Sequence, residues 1–214
     1  MAILNLRLES SITFHDFFHG FRAGHGTGTA TLESKLLQQL AALREEVLYM
    51  IFIDLNKAYD ALDRSRCLEI LERYGVGPRS RRLLQSYWRR LTMVARAGGY
   101  YGTSFKEKRG VTQGNPLSPT IFNVVVDAFF CHWVMGVIAD ADARGELGKE
   151  GRHQAALFYA DNGNVDTYDP RWLHGVFNNL VGIFDRVGLH KNARKTVGMV
   201  CHPCQAAGKL FTAA

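Results

Sequence analysis

Long uninterrupted apolar runs are missing from this sequence. Its richest stretch, 121–138, is broken by Asn123, Asp127 and His132, and falls short of the ~20 apolar residues a bilayer-crossing helix needs. Residues 1–7 hold no basic stretch leading into an apolar one. Neither a secretory leader nor a membrane partner is therefore expected, and the chain reads as intracellular. Cysteine is scarce too, with four in the chain. Cys67 and Cys131 lie in apolar, helix-like stretches suited to reduced, buried thiols. Cys201-His202-Pro203-Cys204 has the spacing of half a zinc site, but no second CxxC pair accompanies it, which argues against a closed four-ligand site. Internal repeats and low-complexity linkers are absent as well.

The chain has 214 residues, 47% of them hydrophobic and 21% charged. That is enough for one large domain, or one and a half small ones, whose core needs no disulfide staples. The net charge of +6 points weakly to an anionic partner such as nucleic acid.

Residues 14–29, rich in Gly, His and Phe, read as loop. Leu32, Leu36, Leu40, Leu43 and Val47 recur at steps of four and three, predicting a helix over 31–47 with one apolar stripe. The short apolar run 48–55 reads as a strand buried on both faces. Helices are expected over 65–74, ended by Gly75-Val76-Gly77-Pro78, and over 80–91 with Leu83, Leu84, Tyr87, Trp88 and Leu91 inward. Gly98-Gly99 signals a hairpin joining 92–97 and 100–106. Ser118-Pro119 supplies an N-cap and first-turn proline for a helix to 138. Asp161-Asn162-Gly163-Asn164 reads as the turn of a second hairpin, and a helix opened by Asp169-Pro170 is closed by Gly188. A strand over 196–200 is the last. This order implies an α+β fold, a small antiparallel sheet with helices on one face.

Two aspartates, Asp54 and Asp161, stand where buried strands meet turns. A carboxylate delivered by an apolar strand is costly unless its charge is used or paired. Side by side, two such groups can share divalent metals in the manner of phosphoryl-transfer sites. Capping a turn or helix is the competing explanation. The basic cluster of Arg79, Arg81, Arg82, Arg89 and Arg90 either neutralises phosphates or is a solvated face.

Asp54-Leu55-Asn56-Lys57-Ala58-Tyr59-Asp60 resembles motif A of reverse transcriptases. Gly110 to Pro119, with its QG-x-PLSP core, resembles motif B; Tyr159-Ala160-Asp161-Asn162 resembles motif C; Gly188-Leu189 through Asn192 to Lys195-Thr196 resembles motif D. His19-Gly20-Phe21-Arg22 is similar to the fingers segment that precedes motif A. In this order the elements resemble the non-LTR retrotransposon and group II intron branch of that family. The resemblance implies a polymerase palm with partial fingers: fingers over 1–47, palm over 48–200, and a tail over 201–214 with no room for a thumb. It implies RNA-directed DNA synthesis on an RNA or DNA template with a primer, using deoxynucleoside triphosphates and two Mg²⁺ ions, or Mn²⁺.

By the same resemblance, Asp54 and Asp161 would be the principal metal ligands. Tyr59 would pack under the incoming sugar and exclude a 2′-hydroxyl. Gln113 and Gly114 would lie beside the base, and Arg22 would contact triphosphate or template. Lys195 would protonate the departing pyrophosphate. Asn162 stands where the family has a second aspartate, leaving a weak third ligand with no charge; Asn115 is a milder departure. Two alternatives follow, a catalytically inactive nucleic-acid-binding remnant and an RNA-directed RNA polymerase. Tyr59 argues against the latter.

Overall fold

The computed structural model describes residues 1–143, 155–186, 188–203 and 209–212. In chain order these form α1 (Ala2–Glu9), α2 (Thr27–Leu43), β1 (Leu48–Asn56), α3 (Ala58–Ala61), α4 (Arg64–Arg73) and α5 (Pro78–Arg90). The hairpin β2 (Met93–Ala97) and β3 (Tyr100–Phe105) follows, then α6 (Leu117–Ala143), β4 (Ala155–Tyr159), β5 (Asn162–Thr167), α7 (Pro170–Asp185), β6 (His190–Lys191), β7 (Val197–Cys201) and β8 (Lys209–Thr212). The expected α+β architecture is present. Among the described residues no helix is long and apolar enough to cross a membrane.

The main sheet has the order β4-β5-β1-β7-β8, with β6 also pairing β1, and every pair is antiparallel. Antiparallel partners share a face. Ile51, Ile53 and Leu55 of β1 therefore look, with Val165 of β5, into the main core. There they meet Phe122 and Val125 of α6 and Phe177, Leu180 and Phe184 of α7. Leu48, Met50, Phe52 and Asp54 share the opposite face with Asn162, Asn164 and Asp166.

That opposite face is not bare, as a one-sided sheet would be. Ala41 and Leu37 of α2 pack on Leu48 and Met50 there, so helices lie on both sides. The leucine stripe expected to face the core points outward instead: Leu32, Leu36 and Leu43 are 57%, 51% and 83% exposed. Leucine spacing predicts a helix correctly but cannot say which side finds a partner, and here the smaller Leu37/Ala41 side meets the sheet. The helix also starts and ends four residues earlier than its periodicity suggests. Leu83 likewise points to solvent, while Leu84 and Trp88 are buried.

Local chemistry explains other departures. The second hairpin turns on Ala160 and Asp161, with Asn162 already paired to Tyr159, because Ala160 takes the left-handed conformation (φ 54°) that a tight connection requires. Asn115, not Ser118, caps α6: its Oδ1 accepts from Leu117 N at 3.1 Å, while Ser118 Oγ donates to Thr112 O. Gly188 does close α7, at φ 80°, with Leu189 N donating to Phe184 O in a Schellman-type cap. The short α1, α3 and β6 carry too little periodicity to announce themselves. β8 extends the sheet into what reads as a tail. Cys201 lies in β7, its Sγ 3.8 Å from Met50 Sδ, and Cys204 lies outside the described residues.

Asp166 is the polar residue this fold tolerates least. It is 1% exposed, neither carboxyl oxygen has a well-formed hydrogen bond, and burial pushes its pKa up to about 7, partly offset by Asn164. The folded chain then holds the proton to about pH 7, whereas an unfolded aspartate loses it near its model value of 3.8. Between those values the folded state binds more protons, so this group's contribution is fully present below the lower value and is lost as pH rises through the higher one. Asp166→Asn should raise Tm at about pH 8 by roughly 4 °C or more and leave Tm at about pH 4 nearly unchanged. Equal shifts at both pH values in a thermal melt would show that the carboxyl is not held protonated.

Candidate active site

The β1–β5 register places Asp54 directly opposite Asn162. Asp161 occupies the turn that opens β5, and its carbonyl accepts from Leu55 N at 3.1 Å. The two aspartates are thus fixed to neighbouring strands at one end of the sheet. The outer edge of β4 is held as well. Phe158 N donates to Phe17 O and His19 N to Phe158 O, both at 2.8 Å, so residues 17–19 run parallel along that edge. Gly20 then passes so close to the turn that a Cβ there would lie 2.6 Å from Ala160 N, which only glycine permits. His19 is buried and anchors this strap to α2 through Thr29 (2.9 Å) and Glu33 (3.0 Å).

Around Asp54 the charges are partnered. Lys195 Nζ lies 3.5 Å from Oδ1, and Asn192 Nδ2 donates to Oδ2 at 3.0 Å. Asn192 N also donates to Asp54 O at 2.7 Å, while Lys195 N and Thr196 N donate to Asn192 O. The turn after β6 is therefore clipped to the aspartate by both backbone and side chain. The Lys195 ammonium is 68% exposed and Asp54 is 17% exposed, so this is a solvent-screened pair, easily displaced. Asp161 has weaker company, Asn162 Nδ2 at 3.5 Å.

Tyr59 follows β1 on α3. Its ring stacks on Phe122 at 4.9 Å and 9°. Burial, and secondarily the negative charge of Asp161, push its hydroxyl up to about 12. The hydroxyl is buried without a hydrogen-bond partner. The segment leading to Gln113 is clipped onto the same helix: Val111 N donates to Tyr59 O and Gly110 N to Leu62 O, both at 2.8 Å. A Cβ on Gly110 (φ 79°) would lie 2.7 Å from Tyr59 O. Beyond this clip Gln113 and Gly114 are exposed in a turn, with Gly114 at φ 85° and open space beside it.

Asp54, Asp161, Asn162 and Lys195 thus converge, while Tyr59 follows β1 on α3 and its bond from Val111 N ties down the segment that leads to Gln113-Gly114. Arg22 stands apart in role. Its Nη1 donates to His15 O (2.7 Å) and Phe18 O (2.8 Å), and its guanidinium lies over Phe14, bracing the strap from within. Asn192 and His19 lie inside segments that the motifs mark without giving either residue a role, and Phe122 carries no motif signal. Of the arginine cluster, Arg81 pairs with Glu72 at 2.6 Å, while Arg79, Arg82, Arg89 and Arg90 are exposed. The donors at the sheet end are all oxygen, as hard divalent cations require. Among the described residues no cluster of three or more His, Cys, Asp or Glu side chains could hold a metal.

Known proteins resemble this chain in sequence and in fold. The family described as reverse transcriptase (RNA-dependent DNA polymerase) matches residues 1–209. The chain is 27% identical over 212 residues to a retrovirus-related Pol polyprotein from type-1 retrotransposable element R2 of Popillia japonica, covering 94% of this chain and 29% of that protein. It is 29% identical over 206 residues to the polyprotein from type-2 element R2DM of Drosophila melanogaster, covering 95% and 19%. The chain thus spans less than a third of the length of either relative. Telomerase from Candida tropicalis, solved with a fragment of telomeric RNA, superposes with a TM-score of 0.65 at 17% identity over 97% of this chain and 34% of that one. The apo form truncated of its C-terminal domain gives 0.62 at 16% over 99% of this chain and 44% of that one. These solved structures share the fold, and the family match extends over nearly the whole chain: it belongs to the reverse transcriptase family, of the non-LTR retrotransposon type.

Proposed function

We propose that this domain adds deoxynucleotides to a primer 3′-hydroxyl as directed by an RNA or DNA template, releasing pyrophosphate. The observation that carries this reading is the β1–β5 register, which sets Asp54 and Asp161 at one sheet end, with Tyr59 on the helix that follows β1. Telomerase bound to telomeric RNA supports a nucleic-acid partner for the same fold. Residues 1–47 would serve as partial fingers and 48–200 as palm.

Enzymes of this family work with divalent metals. Here Asp54 and Asp161 would hold them, two Mg²⁺ ions or Mn²⁺, with Asn162 offering only a neutral carbonyl oxygen. Such ions supply charge that stabilises the entering and leaving oxygens of phosphoryl transfer. The chain's own groups have separate work. Tyr59, backed by Phe122, presents a rigid ring that leaves no space for a 2′-hydroxyl. Gln113 and the open backbone of Gly114 adjoin the base. Lys195, an ammonium already at the site, has a proton to donate to the departing pyrophosphate. Arg22 acts on template or triphosphate through the strap it braces.

One observation favours a second reading, a nucleic-acid-binding remnant without activity. Asn162 removes an anion where the family has one, and Lys195 and Asn192 together satisfy Asp54 without a metal. Primer extension separates the two. Asn162→Asp should extend a primer about 10²-fold faster than the unaltered domain, the scale of losing one electrostatic partner of a transition state. Binding and Tm should hardly change, since Asn162 is exposed. Equal rates would make the second carboxylate dispensable here.

Sugar selection tests Tyr59. Tyr59→Val should admit ribonucleotides far more readily, while Tyr59→Phe should keep the deoxy preference, because the hydroxyl has no partner to lose. A Tyr59→Val enzyme that still rejects ribonucleotides would reduce Tyr59 to a packing residue on Phe122.

A further inference from the structure

The β2–β3 hairpin forms a two-stranded sheet of its own, and an isolated hairpin of this kind has little intrinsic stability in water. Yet it displays large side chains: Tyr100 is 83%, Tyr101 71% and Phe105 50% exposed. Tyr100 and Tyr101, adjacent on one strand, look to opposite faces. The Arg96 guanidinium lies 5.4 Å from the centre of the Tyr101 ring, across the strand pair.

Charge surrounds these rings. Residues 89–109 contain six Lys and Arg and a single acidic residue, Glu107. Glu107 is turned inward to Arg64, whose Nη2 is 3.6 Å away. The interiors of protein–protein contacts are depleted of charge. Exposed aromatic rings interleaved with unneutralised cations instead suit single-stranded nucleic acid, where bases stack on rings and phosphates meet the cations.

The hairpin's exit is firmly attached. Arg64 donates from Nε to Gly110 O at 2.8 Å and from Nη1 to Glu107 O, and its guanidinium lies over Trp88. The chain leaving Phe105 is therefore pinned to α4 before it reaches Gln113. A strand stacked on the hairpin would be held on a surface rigidly linked to the Gln113-Gly114 turn.

We infer that the β2–β3 hairpin is a stacking platform for the unpaired template strand, outside the Asp54–Asp161 site, with Tyr101 and Arg96 as its contacts on one face and Tyr100 as its contact on the other. That the strand is the template rests on the polymerase reading; that it is single-stranded nucleic acid does not.

Fluorescence anisotropy with the whole chain, without divalent metal, tests this directly. The probes are labelled oligothymidylate and oligouridylate of about 16 nucleotides and an abasic oligomer of equal length, which keeps phosphates but has no bases. Replacing both tyrosines, Tyr100→Ala with Tyr101→Ala, should weaken the base-bearing probes about 10-fold or more and leave the abasic probe unaffected. The Phe pair should restore binding, and Arg96→Gln should flatten the salt dependence on every probe. Tm should hold throughout, as these side chains are exposed. Loss on one sugar type alone supports the platform and names its strand. Equal loss on abasic and base-bearing probes, or no loss on any, overturns the inference and leaves the hairpin as a protein-docking surface. Base-dependent loss in a chain that extends no primer even as Asn162→Asp supports the platform while sinking the polymerase reading.

Discussion

The pairing of β1 with β5 is the constraint on which the rest of the structure depends. Side chains alternate with a period of two along a strand, so a slip by one residue would exchange the two faces completely. Asp54 would then enter the core that now holds Ile53, Phe122 and Phe184, and Ile53 would take its place at the exposed end. Burying an unpaired carboxylate there costs several kcal/mol, which makes the native register strongly preferred. Local bonds reinforce it at the critical end. Leu55 N reaches Asp161 O, Asn192 N reaches Asp54 O, and Gly20 fits against Ala160 where any larger residue would push the turn away.

Electrostatics at that end is a balance of incomplete partnerships. Lys195 and Asn192 satisfy Asp54, whereas Asp161 has a long contact to Asn162. A cation arriving at the site would compete with Lys195 for Asp54 and free the ammonium, so metal occupancy and the availability of Lys195 would be coupled. The exposed setting of Lys195 keeps that exchange cheap. A fully buried pair would resist it, since removing one partner would strand a desolvated charge.

Much of this was legible in the sequence, for definite reasons. Strand β1 and the helices α4 to α7 have strong periodicity or clear breakers, the first hairpin is marked by Gly98-Gly99, and the second is marked as a hairpin although its turn lies at Ala160-Asp161 rather than over 161–164. Two aspartates after apolar strands pointed to the sheet end at which they come together. What was not legible depends on tertiary partners. The leucines of α2 obey helical spacing, yet the sheet meets Leu37 and Ala41 instead. The tightness of the second turn depends on Ala160 accepting a positive φ, which its residue type does not suggest. Arg22 looked free to bind phosphate, but two backbone carbonyls of its own strap claim one end of it. The platform residues were missed differently: the hairpin was recognised, but exposure of its aromatics cannot be inferred from a pattern in which tyrosine serves core and surface alike.

Asn162 shows how far fold and chemistry can separate at a single position. It contributes its backbone to the ladder with both Asp54 and Tyr159, and that contribution is the same for asparagine or aspartate. Its side chain is exposed and makes one long contact, so neither packing nor register depends on its charge. Adding a carboxylate there, beside Asp54 and Asp161, would if anything raise repulsion among like charges when no cation is bound. The fold therefore places no demand for an aspartate at this position and is slightly relieved by its loss. Only the proposed chemistry has a use for the missing charge. A chain can consequently retain the sheet, its strap and its basic hairpin while a residue on which the proposed metal site would depend has changed.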